Sequence, residues 1–457
     1  MTSLFATGAV PLPLDLPVLD VSASGGTRVR RSVLPSGVRV VSESVPGAQS
    51  ATVGFWVAVG SRDEDPMTYG STHFLEHLLF KGTPTRSALD IAVSFDAVGG
   101  DHNAVTSKEH TCYYAKVRDV DLPMAIDVLA DMWTSSRIDP DEFESERTVI
   151  LEELAMADDD PTDVVAERFF ESVFGDHPLG RPIGGYPASI RAVTRAAVWG
   201  HYRRNYCPRD LVVTVAGAVD HDQLVAQVEV VLDRAGWDLG LVATPVARRS
   251  ESVPASFSRG EAVRVVERPG EQVNLMLGVP GLSAVDSRRS TLAVLNSVLG
   301  GGMSSRLFQE VRERRGLAYS VYSFVSGYSD AGLVGFYAGC SPKRAADVAS
   351  LMLGEFHRLA KGGITEDELH RAVGQLGGSS ALALEDTDAR MSRLGRSELT
   401  LGEFADLDET LRRLAGVTVD SVQTLAQELV TGALSVASVG PASANIYDGL
   451  TDQSAAA

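Results

Sequence analysis

His73, Glu76 and His77 stand in the run His73-Phe74-Leu75-Glu76-His77, and their types and spacing point to metal chemistry. On a helix, residues four apart lie one above the other, so two imidazoles at this spacing reach a single ion. The carboxylate beside the second histidine sits near such an ion, and near any water on it, without having to be a ligand. A base beside an acidified water is a hydrolytic pairing. In a chain of this composition His-x-x-Glu-His arises by chance roughly 0.01 times. The competing reading is a pair of surface histidines on an amphipathic helix.

A hydrolytic zinc site needs a third protein ligand and keeps its fourth position for water. The acidic helix expected from Pro140 is the place to look. Asp139 suits the N-cap, Pro140 the first turn, and Glu142 approximates a capping box. On this helix Phe143, Glu146, Ile150, Glu153, Leu154 and Ala157 share one face, whereas Glu144 and Glu152 point to solvent. Carboxylates within an apolar stripe are costly unless a cation meets them. A metal held by His73 and His77 would do so; pairing with Arg or Lys is the alternative. Periodicity does not choose between Glu146 and Glu153.

The elements around these residues fall into two similar halves. Strands are expected at 38–43, 51–59, 106–117 and 211–217, with helices at about 86–97, 121–135, 140–157 and 161–174. Strict βαβ alternation is absent, which favours an α+β architecture with antiparallel sheets covered by helices. A second half begins like the first: 272–279 reads as a strand after Pro269-Gly270, as 51–59 does after Pro46-Gly47. Laying Ser71–His77 on Ser290–Asn296 matches His73 with Leu292, Glu76 with Leu295 and His77 with Asn296, and puts Gly82 on Gly301. Ile138–Glu142 likewise resembles Ile364–Glu368. This is a duplicated domain whose second copy has lost its ligands. The expected organisation is an N-terminal tail (1–28), a catalytic zinc-binding domain (29–237), a linker rich in Pro and Ser (238–260), a degenerate second domain (261–445) and a C-terminal tail (446–457).

The stretch His73-Phe74-Leu75-Glu76-His77-Leu78-Leu79-Phe80-Lys81-Gly82-Thr83 resembles the active-site signature of the pitrilysin/insulinase family of zinc peptidases. Its mitochondrial-processing-peptidase-like branch is the nearest match, and the motif is the inverzincin form of the zincin pattern. Glu146-Arg147-Thr148-Val149-Ile150-Leu151-Glu152-Glu153-Leu154 resembles the family's second motif. That resemblance implies Glu153 as third zinc ligand, with Glu146 in a supporting catalytic role and one Zn²⁺ per chain. It also implies two homologous domains facing each other across a substrate chamber. Gly99–Ser107 resembles the edge strand on which family members lay their substrate, with Asn103 and Ala104 as the positions carried over; main-chain pairing there would hold an extended peptide with little regard to sequence. Arg312 and Tyr319 match an Arg and Tyr that reach substrate carbonyls or the oxyanion. His102 and His110 match no ligand position and read as ordinary polar residues. Gly300–Gly302 lacks the Gly-Lys-Ser/Thr of a phosphate loop, so a mobile loop near the substrate path is expected instead. His177–Pro182 reads as a structural turn.

The resemblance therefore implies a zinc-dependent metalloendopeptidase, with zinc-activated water as nucleophile and Glu76 as general base. Composition fits this and narrows the partners. The chain has 457 residues, is 44% hydrophobic, and contains no apolar stretch of membrane-spanning length. A net charge of −19 argues against nucleic acid and anionic membranes and favours basic peptides, although an acidic solvated surface accounts for it equally well. Cys112, Cys207 and Cys340 lie too far apart for a disulfide framework, and the proline-interrupted start lacks a cationic export signal; a cytoplasmic location is expected. A homodimer follows from family likeness alone. Three competing readings are a non-catalytic structural subunit, an active subunit that requires a separate partner, and a binding protein with a structural zinc.

Overall fold

Val-rich runs form the centre of a sheet where both faces are covered, and Ser50–Val57 and Val212–Gly217 are buried at nearly every position. The structure, a computed structural model, describes residues 4–5, 8–251 and 257–453. It divides into two compact units: residues 1–154, 182–251 and 381–409 in one, and 155–181, 252–380 and 410–457 in the other. Each is a mainly antiparallel sheet with helices, as expected.

The first sheet has eight strands: β1 Leu4–Phe5, β2 Val18–Ser22, β3 Arg28–Val33, β4 Arg39–Ser44, β5 Ser50–Val57, β6 Asp101–Thr106, β7 Thr111–Arg118 and β8 Val212–Gly217. Their spatial order is β1-β2-β3-β4-β8-β5-β7-β6, with β4 parallel to β8 and β5 antiparallel to both neighbours. β6 thus lies at an edge. One face carries helices α1 Ser71–Leu79, α2 Ala88–Asp96 and α3 Leu122–Ser135, packed through Phe74, Leu75, Leu78, Ile126, Leu129 and Trp133. Each such buried side chain contributes roughly 1.5–3 kcal/mol. Helix α4, Pro140–Asp159, follows α3, and then come α5 Pro161–Phe174, α6 Arg195–Asn205 and α7 His221–Arg234.

The second sheet is ordered β9-β13-β10-β12-β11, from β9 Val263–Glu267, β10 Val273–Pro280, β11 Ala318–Gly327, β12 Gly332–Cys340 and β13 Ser435–Gly440. Its helices are α8 Arg289–Gly300, α9 Ala345–Gly362, α10 Glu366–Ala383 and α12 Val419–Leu429. A helix between these last two, α11 Thr387–Arg396, belongs to the first unit. The order strand, helix, hairpin, helices, strand repeats in both halves, which agrees with the expected duplication.

Unit membership departs from the expected boundaries in four ways. Helix α5 lies in the second unit, where Val165 and Phe169 pack with Met276, Leu333, Ala437 and Val439. Conversely, α11 puts Met391 and Leu394 among Val41, Trp56, Val212 and Ala216 of the first sheet. Each half of the chain lends a helix to the other's sheet, which cuts at 237 and 261 do not respect. Residues 8–28 of the expected N-terminal tail are no tail either. Val18–Ser22 pairs with Arg28–Val33, and Leu12, Leu19 and Val21 are buried, because an alternating Val-Leu-Asp-Val run finds a sheet edge to join. Residues 238–251 of the expected linker belong to the first unit, where buried Arg248 donates to the Glu398 carboxylate at 3.2 Å; 252–256 lie outside the described residues. Of the expected C-terminal tail, Tyr447 and Leu450 are buried in the second core, and 454–457 lie outside the described residues. The stretch read as one strand at 106–117 is broken: it takes in the last residue of β6, the turn at Ser107–His110 and β7 up to Val117. Among the described residues no helix is long and apolar enough to cross a membrane.

Candidate metal centre

Helix α1 divides into two faces by its own periodicity. Ser71, Thr72, Phe74, Leu75, Leu78 and Leu79 are buried, while His73, Glu76, His77 and Phe80 are half-buried on the other side. That leaves both imidazoles and the carboxylate on one open face. The helix starts at Gly70, whose φ of +90° and close approach by Gly184 exclude a side chain. Its first N–H groups, which have no partner within the helix, are met from upstream. Buried Glu64 accepts from Gly70 and Thr72 N–H, each at 2.7 Å, placing a negative charge at the helix N-terminus.

Helix α4 enters through Ile138, a β-branched residue at φ +43°, held in this uncommon conformation by burial and by the Arg195 guanidinium donating to its carbonyl. Asp139 caps the helix, accepting from Asp141 N–H at 3.0 Å. Phe143 stacks on Phe74 of α1, centroids 4.5 Å apart, and fixes the two helices against each other.

The two glutamates on one face of α4 then meet different neighbours. Glu146 is nearly fully buried, its side chain 4% exposed; its carboxylate lies 3.0 Å from His77 Nδ1 and 2.5 Å from Lys81 Nζ. Glu153 is 45% exposed, its carboxylate 3.4 Å from His77 Nε2 and 3.9 Å from His73 Nε2. His73, His77 and Glu153 each offer one donor atom, and all three lie within 4.8 Å of one another. An ion with tetrahedral bonds of about 2.0–2.1 Å needs donors about 3.3–3.4 Å apart. The His77–Glu153 separation meets this, and the His73–Glu153 separation is slightly wide. With His77 Nδ1–H turned to Glu146, its Nε2 carries the lone pair, as metal ligation requires. Two imidazoles and a carboxylate suit zinc. Burial and the neighbouring His77 push His73 down to about 4, which keeps it neutral.

Glu76 lies on the same face of α1 but points to β6. Thr106 donates its hydroxyl to the Glu76 carboxylate in a short contact. Burial pushes Glu76 above the usual carboxylate range, and the Thr106 hydroxyl opposes that rise. The free edge of β6 runs from this point through Ala104 and Asn103, and Ala104 N–H is turned to Asn103 Oδ1 at 2.8 Å. His102 stacks on Phe95 at 4.2 Å and His110 tilts against Trp56 at 5.5 Å; neither joins the ligand cluster.

In the second unit Leu292 and Leu295 are buried core residues at the positions matched to His73 and Glu76. Arg312 lies over the Tyr319 ring at 4.7 Å, and Tyr319 is 79% exposed. The glycine loop expected to be mobile is held by Gln375, which donates to Gly301 O at 3.1 Å. Glu64 and Thr106 went unmarked in the sequence, because a cap from outside the helix and a strand-to-helix hydroxyl contact have no fixed spacing. Lys81 stood in the motif without a role.

Comparisons with known proteins identify sequence relatives and structures of like fold. The family model described as Insulinase (Peptidase family M16) matches residues 39–186, and that described as Peptidase M16 inactive domain matches 192–376. An uncharacterized zinc protease of Streptomyces coelicolor is 50% identical over 413 residues, covering 90% of each chain. One from Mycobacterium tuberculosis strain H37Rv is 48% identical over 412 residues, covering 90% of this chain and 93% of its own. The uncharacterized zinc protease YmxG of Bacillus subtilis is 40% identical over 413 residues, covering 90% and 98%. Among solved structures, a protease from Helicobacter pylori superposes with a TM-score of 0.81 at 23% identity, over 90% of this chain and 99% of that one; the likeness concerns the fold.

Proposed function

Because the chain belongs to the insulinase family of peptidases, M16, we propose that it is a zinc-dependent metalloendopeptidase. The observation that carries this reading is the convergence of His73, His77 and Glu153, one donor atom of each within 4.8 Å of the others, with Glu76 on the same face of the helix. Zinc bound there supplies a Lewis acid, bringing the pKa of water towards about 7 and polarising a scissile carbonyl. His73, His77 and Glu153 would hold it, one ion per chain. Glu146 keeps His77 in the ligating tautomer, and Lys81 balances Glu146 so that it stays an acceptor for the ring. Glu76 takes a proton from the attacking water on its carboxylate and passes it to the leaving amine. A peptide adds as a strand to the free edge of β6 beside Asn103 and Ala104, held through the main-chain groups that face that edge. Arg312 and Tyr319 are assigned as donors to substrate carbonyls on the family resemblance. A net charge of −19 favours basic peptides, three free cysteines favour a reducing, cytoplasmic compartment, and a homodimer is assigned by family likeness.

The test compares wild type, Glu76→Gln and chelator-treated protein on a peptide library read by mass spectrometry, with metal analysis in parallel. Glu76→Gln keeps its zinc and loses turnover, and zinc restores the chelated protein. Peptide hydrolysis by a zinc-loaded Glu76→Gln protein overturns the assignment.

A further inference from the structure

The Glu76 carboxylate has one hydrogen-bond partner among the described residues, and it lies on the strand to which the substrate is assigned. We propose that Thr106 is the positioning residue of the general base, its hydroxyl holding Glu76 at the point where the free edge of β6 ends. This inference rests on the function proposed above.

The hairpin gives the argument its geometry. Ser107 N–H bonds to His110 O at 2.9 Å, which closes the turn between β6 and β7. In an antiparallel ladder inward-bonded and outward-facing residues alternate, so the main-chain groups of Thr106, Ala104 and His102 face the free edge. Ala104 N–H, turned to a side-chain oxygen and not to β7, agrees with this. An added strand therefore has Ala104 and His102 to pair with, taking the place of the Asn103 side-chain oxygen at Ala104 N–H. At Thr106 the edge is occupied, because its main-chain N–H faces the Glu76 carboxylate and its hydroxyl, the one group in hydrogen-bond geometry, is donated to it. The ladder stops at the base. One residue thus ties the site of docking to the site of proton transfer.

Geometry also shows why the hydroxyl matters more than the methyl. Thr106 is buried, and a Thr hydroxyl has a single proton to give, here committed to Glu76. A glutamate side chain has three rotatable torsions; without an anchor it loses the single orientation that a base needs. Losing one hydrogen bond to a charged group corresponds to a rate effect of about 10- to 100-fold.

Three variants separate the possibilities: Thr106→Val, which keeps shape and loses the hydroxyl; Thr106→Ser, which does the reverse; and Glu76→Gln. Each is assayed as full-length protein for zinc content, thermal midpoint, kcat and KM on one fluorogenic peptide, and cleavage position by mass spectrometry. Thr106→Val should load zinc normally, keep KM within about twofold, lower kcat about 10- to 100-fold and cut at bonds flanking the wild-type one, while Thr106→Ser stays within about threefold of wild type. A Thr106→Val protein with wild-type kcat overturns the inference, as does a Thr106→Ser protein slower than Thr106→Val, which would make Thr106 a packing residue. Should Thr106→Val fail to fold, Thr106→Ala and Thr106→Ser carry the same comparison. Hydrolysis by Glu76→Gln overturns the proposed function itself; an inactive Glu76→Gln beside an unimpaired Thr106→Val overturns only the role given to Thr106.

Discussion

Replacing Glu146 by Gln tests whether the buried carboxylate behind His77 holds the metal centre together. Its two oxygens serve two donors: one lies 3.0 Å from His77 Nδ1 and the other 2.5 Å from Lys81 Nζ. Glutamine offers a single oxygen. Turned to Lys81, it presents an NH₂ to Nδ1 and drives the imidazole proton to Nε2, the nitrogen 3.4 Å from Glu153, where it blocks ligation. Turned to His77, it keeps the tautomer but sets two donors face to face at Lys81. Lys81 is 31% exposed and can swing to water, so this second arrangement wins. What is then lost is the charge on the acceptor. A hydrogen bond to a charged group is worth about 1.5–3 kcal/mol against about 0.5–1.5 for a neutral one, a difference of about 1–1.5 kcal/mol. Zinc affinity should fall about 10-fold, the lower end of the 10–100-fold range for partners of ligating histidines. Competition with a chelator of known affinity measures it. Zinc affinity in Glu146→Gln within twofold of wild type refutes the argument.

Further predictions concern the proposed third ligand, the helix cap and acid stability. Glu153→Gln should lower zinc content well below one ion per chain by metal analysis; full stoichiometry would transfer the third-ligand role to Glu146. Glu64→Gln removes the charge that meets Gly70 and Thr72 N–H and should cost about 1–2 kcal/mol, seen as a lower thermal midpoint with fold retained by circular dichroism; an unchanged midpoint refutes the cap. His221, buried between Ser32 and Ser42 hydroxyls, is pushed down to about 4, as are His110 and His201. A depressed folded value means that the unfolded chain takes up protons first, so these histidines cost stability as pH falls from about 6.5 to 4. Asp210, pushed up to about 6 by burial, acts in the opposite sense over part of that range. His221→Gln should reduce the pH slope of unfolding free energy by up to one proton between pH 6.5 and 4, measured by denaturant titration; an unaltered slope refutes it.

The metal centre was more legible than its supports. His73, Glu76 and His77 announce themselves because one helical turn encodes their convergence locally. Glu146 and Glu153 could not be told apart by phase, since seven residues on a helix return to the same face; the crossing of α1 and α4, anchored by Phe74 on Phe143, decides which one meets the Nε2 atoms. The strands of the sheet centre were readable because burial on both faces selects Val. The strand at Val18–Ser22 was not, because its five residues lie among Pro, Ser and Gly and owe their order to a partner. Nor could local pattern show that Val165 and Phe169 pack with Ala437 while Met391 packs with Trp56, since helix periodicity reports a buried face without saying what buries it.

That trade of α5 for α11 makes the two halves of the polypeptide hostages to each other. A fragment stopping at residue 237 would leave Val41, Trp56, Val212 and Ala216 wet on one side and would carry α5 with nothing to cover. Supplying the missing helix as a separate peptide would have to overcome the loss of translational freedom that the covalent connection removes. The duplicated gene product should therefore stand or fall as one cooperative molecule, and no proteolytic nick or engineered split between its repeats yields two self-sufficient pieces.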